Sequence, residues 1–466
     1  MLETAIRQVR VAIAMVTGRP LSVRLVRRLV DDALATLAEF GSPGDDVAQL
    51  VDGPFADPAE RLDLQTGALR RTARRLAARS AFYRDRFATA GIDPAGLTPA
   101  TMPDIPVTEK NDLVRRPADF LCGRPQVITQ TTGTTGAPVR IWLSRYEVEL
   151  WPALIALSML LRGEVLPGDC MHIGISSRAT AAVQEDIDML RLAGAACRVV
   201  GQIPPDEALD HLLDPGPGQP TLLNGYPSYV GQLVTAARRR GLGPGDFRLR
   251  SVYTGGEILS PALAEAVRTT LGAGRVDDTY GMTEVLPVGG RSCSRRHLHL
   301  DVNMGFTEVI DLAGAGPAGP GALGTLVITP YFPYRECMPV FRYDTRDVVR
   351  VLPAPPDCEL AAVPAVSAIL GKADGLLRTA ARPVTPREVV EVLDDLPGVR
   401  WPVRYQASVR DGRLHVIMAG DAAPGDLVKR FAAVGIEATA EVVPDAVELR
   451  RLRCDLRETT FVARPS

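Results

Sequence analysis

The chain has 466 residues, 46% of them hydrophobic and 23% charged, with a formal net charge of −2. That length exceeds one compact core and predicts two or three domains. The balanced charge leaves no global field to draw nucleic acid or an anionic membrane. The longest apolar stretch, near Leu150 to Leu161, is too short for a membrane span and predicts a buried helix. Seven scattered cysteines, behind an N-terminus that Arg7 and Arg10 spoil as a secretory signal, predict reduced thiols in a cytoplasmic protein. Lysine occurs only at positions 110, 372 and 429, so each one matters to the chemistry.

Residues 1 to about 90 read as helical, with Leu21, Val23, Leu25, Leu29 and Leu34 on one stripe. Short apolar runs then alternate with helical segments. Strands are predicted at Val127–Thr129, Met171–Ile175, Cys197–Val200, Thr221–Leu223 and Ser251–Tyr253, each followed by a loop and a helix. This rhythm predicts an α/β sheet with its working loops at the strand ends. From Phe306 the pattern changes to β-rich runs around Gly/Pro turns, and residues 351–367 are an irregular, proline-rich connection. Beyond Gly371 a small α+β unit is predicted. Thr385, Pro386 and Glu388 form a helix start with a capping box, Asp411-Gly412 turns a hairpin over 403–418, and Gly435 closes a helix over 426–434.

Residues 129 to 138 read Thr-Gln-Thr-Thr-Gly-Thr-Thr-Gly-Ala-Pro. Glycines let the backbone turn N–H groups toward an anion, and Thr131, Thr132, Thr134 and Thr135 add uncharged donors beside Gly133 and Gly136. The run lacks the Gly-Lys-Ser/Thr close of a Walker loop and the spacing of a dinucleotide fingerprint. A Gly/Thr surface turn would be the default if the loop stood alone. Four further segments follow in order: Tyr253-Thr-Gly-Gly-Glu257, Asp278-Thr-Tyr-Gly-Met-Thr-Glu284, Met338 to Asp347, and Gly371-Lys-Ala-Asp374.

With FYRDRFATAGIDP and IPVTEKNDL upstream, this series resembles the adenylate-forming superfamily of acyl-CoA synthetases, peptide-synthetase adenylation domains and luciferases. It is most like the phenylacetate–coenzyme A ligase branch and its deazaflavin-adenylating relatives. The resemblance covers residues 80 to 400. It implies an α/β architecture: a large N-terminal domain over 1–370 of mixed sheets flanked by helices, helical over 1–90 and β-rich over 300–370. A small mobile α+β domain over 371–466 would follow, hinged at Asp374.

The resemblance also implies roles. Thr131 to Gly136 would wrap the β- and γ-phosphates of ATP. Gly255, Gly256 and Glu257 would lie against the adenine, although a plain βα turn would read the same locally. Asp278, Tyr280 and Gly281 would stand beside the nucleotide, Thr283 at the α-phosphate, and Glu284 on Mg²⁺, a hard cation suited to carboxylate oxygen. Asp347 would accept both ribose hydroxyls; a salt bridge to Arg342 or Arg346 is the alternative. Tyr226, within Asn224-Gly-Tyr-Pro-Ser-Tyr229, and Trp151 could line an acyl slot, but buried aromatics more often serve the core. The branch further implies a homodimer, with the helical start as an interface.

Two departures stand out. Most relatives carry a late lysine that approaches the α-phosphate, but this chain has none after Lys429; Arg450, Arg453 and Arg457 are the nearby cations, and Arg457 is taken as the stand-in. Relatives usually have Arg-Gly-x-Asn after the hinge, lining the pantetheine tunnel, whereas here Ala380-Ala-Arg-Pro383 stiffens the turn and puts coenzyme A transfer in doubt. Three readings result. One is an AMP-forming ligase that activates a small oxyacid, most simply an aromatic carboxylate, for an amine or thiol in natural-product biosynthesis. The second is an ATP-dependent diazotase that activates nitrite for an arylamine. The third is a nucleotide-binding scaffold without turnover. Cys293, His299, Cys337 and Cys358 make the best four-ligand set for a structural zinc. No tight CxxC spacing supports it, so scattered reduced thiols are the preferred reading.

Overall fold

The computed structural model describes residues 2–41, 57–131, 138–176, 180–312, 314 and 316–451. Among the described residues, four helices come first: α1 (Leu2–Thr17), α2 (Val23–Phe40), α3 (Pro58–Arg79) and α4 (Ala81–Thr89). The last three are capped by side chains: Ser22 accepts from the Leu25 N–H, Asp57 from Ala59 and Glu60, and Ser80 from Tyr83. The buried stripe of α2 is Val26, Leu29, Val30 and Ala33. Only Leu29 of the predicted helical stripe belongs to it, because the helix starts at Val23 and leaves Leu21 buried ahead of its first turn. Short α5 (Lys110–Arg115) follows.

The first predicted strand is real but lies elsewhere. β1 (Val127–Gln130) pairs antiparallel with β2 (Arg140–Leu143) as a separate two-stranded hairpin. Val127 and Ile128 stay exposed, and an interior parallel strand would have both faces covered. The long apolar run forms α6 (Arg145–Leu161), started by a capping box between Ser144 and Glu147.

The main sheet has eight strands: β3 (Cys170–Ile173), β4 (Ala196–Val199), β5 (Leu222–Asn224), β6 (Ser251–Gly255), β7 (Arg275–Tyr280), β8 (Gly290–Ser292), β9 (Leu298–Leu300) and β13 (Ala365–Val366), the last numbered after three strands of the next sheet. Their order is β13-β9-β8-β7-β6-β5-β3-β4. The five strands from β4 to β7 run parallel, while β8, β9 and β13 add antiparallel pairings. Helices α7 (Thr180–Leu192), α8 (Pro205–Leu213), α9 (Pro227–Arg239) and α10 (Pro261–Leu271) follow β3, β4, β5 and β6, the crossover connections that parallel strands need. The β-rich part is a second, antiparallel sheet of β10 (Gly305–Asp311), β11 (Leu323–Pro330), β12 (Tyr343–Arg350) and β14 (Gly371–Lys372).

The C-terminal segment pairs β15 (Leu377–Arg378) with β16 (Pro383–Val384) and continues into α11 (Pro386–Asp394). A three-stranded sheet follows: β17 (Arg404–Arg410), β18 (Arg413–Ala419) and, after α12 (Pro424–Ala433), β19 (Ala438–Val443). Asp411 and Gly412 both take positive φ at the hairpin turn, as read from the sequence. The predicted box at Thr385 and Glu388 forms. These elements share their own apolar core, built on Val389, Leu393, Val416 and Phe431, with Ile258 reaching in from the main sheet side. Trp401 packs so closely on Gly231 that a Cβ there would lie 2.5 Å from the Trp401 Cβ. Short α13 (Ala446–Arg451) ends the described chain.

Candidate functional site

β6 and β7 are parallel neighbours, with Thr254 beside Asp278 and Gly255 beside Thr279. The glycine turn and the Asp278–Glu284 segment therefore leave the sheet side by side at its carboxyl edge, where open α/β sheets bind ligands. Gly255 is required by contact: a Cβ would stand 2.8 Å from the Thr279 carbonyl oxygen. Gly256 has φ +76° and faces the Tyr226 ring, which would lie 3.2 Å from its Cβ. Tyr226 is thus brought to the glycine turn. Glu257 follows the two glycines, and its carboxylate accepts the Ser228 N–H at 2.8 Å in the first turn of α9. That is a helix-capping role, and burial raises the Glu257 carboxyl above its usual range.

The second half of the site comes from β12. Its pairing with β11 is interrupted: Val348 faces Thr325 and Asp344 faces Val327, so three residues of β12 stand opposite Leu326 alone. Arg346 takes φ +61° in this bulge, and the Thr345 hydroxyl donates to the Leu326 carbonyl at 2.9 Å. Bulges re-aim side chains, and this one directs Asp347 toward β7. Tyr280 donates its hydroxyl to Asp347 Oδ2 at 2.9 Å, and Lys372 Nζ lies 2.9 Å from Oδ1. The Lys372 ammonium also donates to the Thr345 carbonyl at 3.0 Å. Neither alternative salt bridge to Asp347 forms: Arg342 pairs with Glu308, and Arg346 with Asp344 and Asp374.

Glu284 joins them from the β7 turn. It is buried, and its described side-chain hydrogen bond is a long one from the Tyr343 hydroxyl, 3.5 Å. Burial raises its carboxyl above the usual range; Lys372 and Lys110 pull it back, and Asp347 pushes it further up. Glu284, Asp347, Lys372 and Lys110 therefore share one local field. Burial lifts Asp278 to about 6, opposed by Arg387 and Arg296. Thr283 and Gly281 lie in the same turn, Thr283 half-buried and Gly281 exposed.

Thr131 sits at the neck of the β1–β2 hairpin. Its N–H donates to the Val139 carbonyl, and its hydroxyl oxygen accepts the Val139 N–H, both at 3.0 Å. Thr132, Gly133, Thr134, Thr135 and Gly136 lie outside the described residues, as do Arg453 and Arg457. Trp151 is placed in the core: its indole N–H donates to the Tyr334 carbonyl at 2.9 Å, and the Arg335 guanidinium stacks on its ring. It packs in a different cluster from Tyr226 and forms no shared aromatic slot with it.

Cys337 is likewise not a member of the metal set. It is buried beside Gly123, and its N–H points at the Glu147 carboxylate. His297 takes its place, so the gathered donors are Cys293, His297, His299 and Cys358. Lys372 and Lys110 stood in the sequence as rare lysines inside two of the quoted segments, with no role attached. A half-buried acid pair, Glu185 and Asp186 on α7, carried no local signal. Burial raises these carboxyls to about 8 and about 7, and Asp186 accepts from Asn224 at the carboxyl end of β5. No helix among the described residues is long and apolar enough to cross a membrane.

No family model matches the chain. It is 26% identical over 329 residues to a phenylacetate–coenzyme A ligase of Pseudomonas putida, covering 66% of this chain and 70% of that one. A phenylacetate–coenzyme A ligase of Aromatoleum evansii is 26% identical over 324 residues, covering 67% and 70%. Among solved structures, a 2-hydroxyisobutyryl-CoA ligase in its postadenylation state superposes with a TM-score of 0.74 at 20% identity, over 90% of this chain and 91% of that one. Sequence relatives and fold agree with the order of the motifs: the chain is similar to phenylacetate–coenzyme A ligases and shares the fold of the 2-hydroxyisobutyryl-CoA ligase.

Proposed function

We propose that the protein activates a small oxyacid, most simply an aromatic carboxylate, with ATP, releasing pyrophosphate and passing the activated acid to an amine or thiol. The observation that carries this reading is the convergence of Glu284 from β7 with Asp347 from β12, beside the two glycines that end β6. Asp347 would accept the ribose hydroxyls. A carboxylate offers about four lone-pair sites, so Tyr280 and Lys372 leave capacity for them. Glu284 suits Mg²⁺: it is a buried carboxylate with only one long described side-chain partner. The ion would neutralise charge on the phosphates when bound. Gly255 and Gly256 would allow the base to approach the backbone, and Thr283 would touch the α-phosphate. Thr131 to Gly136 would wrap the outer phosphates. In-line attack by the acid oxygen on the α-phosphorus would form the mixed anhydride and expel pyrophosphate. Catalysis would come from positioning and charge. Lys372 and Lys110 are described cations acting on Glu284, and Arg457 is the proposed stand-in for the late lysine. Asp374, ion-paired with Arg346, would be the pivot of a small C-terminal domain.

A second reading, nitrite activation for an arylamine, is favoured by the turn after Asp374. The Thr379 hydroxyl donates to the Arg382 carbonyl at 2.7 Å, the Ala380 N–H donates to the Gly412 carbonyl at 2.7 Å, and Arg382 pairs with Glu388 at 2.8 Å. A turn tied at three points supplies little free backbone for a pantetheine arm. A pyrophosphate-release panel separates the readings. Turnover with carboxylates supports the first, and turnover with nitrite and an arylamine alone supports the second. ATP binding without any pyrophosphate would overturn both and leave a scaffold.

A further inference from the structure

The turn between β8 and β9 and the proline-rich segment before β13 meet at one point. Single ligand atoms from Cys293, His297, His299 and Cys358 all lie within 4.8 Å of one another there. Cys293 and His299 are buried. His299 Nδ1 lies 3.0 Å from the Val363 carbonyl oxygen, which selects the tautomer whose Nε2 carries the lone pair, and that Nε2 is 3.3 Å from Cys358 Sγ. A ring nitrogen oriented by a backbone carbonyl is the usual support of a metal-bound histidine. The His297 N–H donates to Cys293 Sγ at 3.3 Å, a bond that stabilises a thiolate, and His297 Nδ1 is buried with no described partner.

The scaffold around these donors is built. The Cys293 N–H donates to the His297 carbonyl, and the Arg296 N–H to the Cys293 carbonyl, around a turn in which Arg296 has φ +63°. Across the gap, both Glu359 carboxylate oxygens bind Ser294, at 2.7 and 2.6 Å. Two thiols and two imidazoles, with no carboxylate among them, form a soft-to-borderline donor set. Tetrahedral zinc holds such donors at about 2.0–2.3 Å, so neighbouring donors stand about 3.3–3.8 Å apart. The observed spacing closes on that geometry with small side-chain movements.

We propose that Cys293, His297, His299 and Cys358 bind one structural zinc ion. All four positions are filled by protein, so the site holds structure and performs no hydrolysis. It staples the irregular 352–364 segment to the β8–β9 turn. The same turn carries Arg296, whose guanidinium reaches Glu391 on α11 at 2.6 Å, so the metal also fixes one contact with the C-terminal elements. This inference stands apart from the proposed reaction.

The test is metal analysis of protein purified without chelator or a histidine tag. One zinc per chain is expected. After removal of zinc, cobalt(II) should restore the d–d and sulfur-to-metal bands of a tetrahedral two-thiolate centre. Cys358→Ser and His297→Ala should each lose zinc and lower the melting temperature, whereas Cys337→Ser should keep its zinc. Metal-free protein whose unmodified thiols give no tetrahedral cobalt spectrum would overturn the proposal. So would a Cys293–Cys358 disulfide found by mass spectrometry in protein isolated under reducing-compartment conditions.

Discussion

Lys372 stands 2.9 Å from Asp347, pairing the last strand of the antiparallel sheet with the carboxylate that the β12 bulge directs toward β7. The pair lets a carboxylate sit largely out of water, because the ammonium offsets part of the desolvation cost. Lys372→Met leaves that charge unpaired at the proposed ribose position. We expect the KM for ATP to rise at least tenfold, about 1.4 kcal/mol, with a lower melting temperature. An unchanged KM would mean that Asp347 does not meet the nucleotide.

Glu284→Gln keeps the volume and the Tyr343 contact but removes the charge. Pyrophosphate release should fall by about 100-fold or more, in line with the roughly 2.7–4 kcal/mol typical of a lost electrostatic group. The magnesium concentration for half-maximal rate should also rise. A variant that loses rate with an unmoved magnesium curve would speak against Glu284 as the metal-holding acid.

Gly255→Ala tests the crevice sterically. A methyl 2.8 Å from the Thr279 carbonyl must push β6 from β7. The expected result is weaker ATP binding by calorimetry together with reduced stability. Full ATP affinity in this variant would place the nucleotide elsewhere.

The carboxyl of Asp394 gives a pH dependence. It is buried beneath the α10 start, where the Ser260 hydroxyl donates to it, and burial lifts it from the usual 3.8 to about 7. The folded state therefore favours the protonated form. Its contribution is largest at low pH and is lost as pH rises through about 7. Acidifying from pH 8 to pH 5 should raise the melting temperature, and Asp394→Asn should flatten that slope. Asp186 and Glu185 carry the same sign, so the comparison is between the slopes of variant and parent. Identical slopes would remove Asp394 from the account.

Trp151→Phe should cost stability without altering substrate choice. Its indole N–H satisfies the Tyr334 carbonyl in the core, and a buried acceptor left unpaired costs about 1–3 kcal/mol. A changed acid preference in the panel would return Trp151 to the substrate site.

Local signals were legible where a short stretch carries its own instruction. Asp411-Gly412 made its turn, Thr385 and Glu388 made their box, and four of the five apolar runs became parallel strands within a residue or two. The motif acids Glu284 and Asp347 were legible as a pair only through the family resemblance; nothing in their spacing brings them together. What stayed hidden depends on contacts distant in sequence. Lys372 reaches Asp347 because β14 pairs with β12, a register that no window reveals. His297, rather than Cys337, joins the sulfur cluster because a left-handed Arg296 folds the turn back on Cys293. Glu257 looked like a binding residue, but it is taken up by the nearby start of α9. The hairpin β1–β2 was read as part of the main sheet because an isolated apolar triplet does not say which neighbour it will find.

The Leu326 bulge carries one more consequence. Its surplus on β12 is two residues, an even number, so facing pairs keep their sides: Tyr343 opposes Ile328 and Val348 opposes Thr325, on opposite faces that are both buried. Parity is thereby a property of this strand. Losing one residue here would reverse the facing of everything on one side of the bulge and exchange Val348 and Val349 between two covered faces, each packed for the other's neighbours. Losing two would merely straighten the ladder and cost the Asp347 orientation alone. Length variation at this point is tolerable only in pairs.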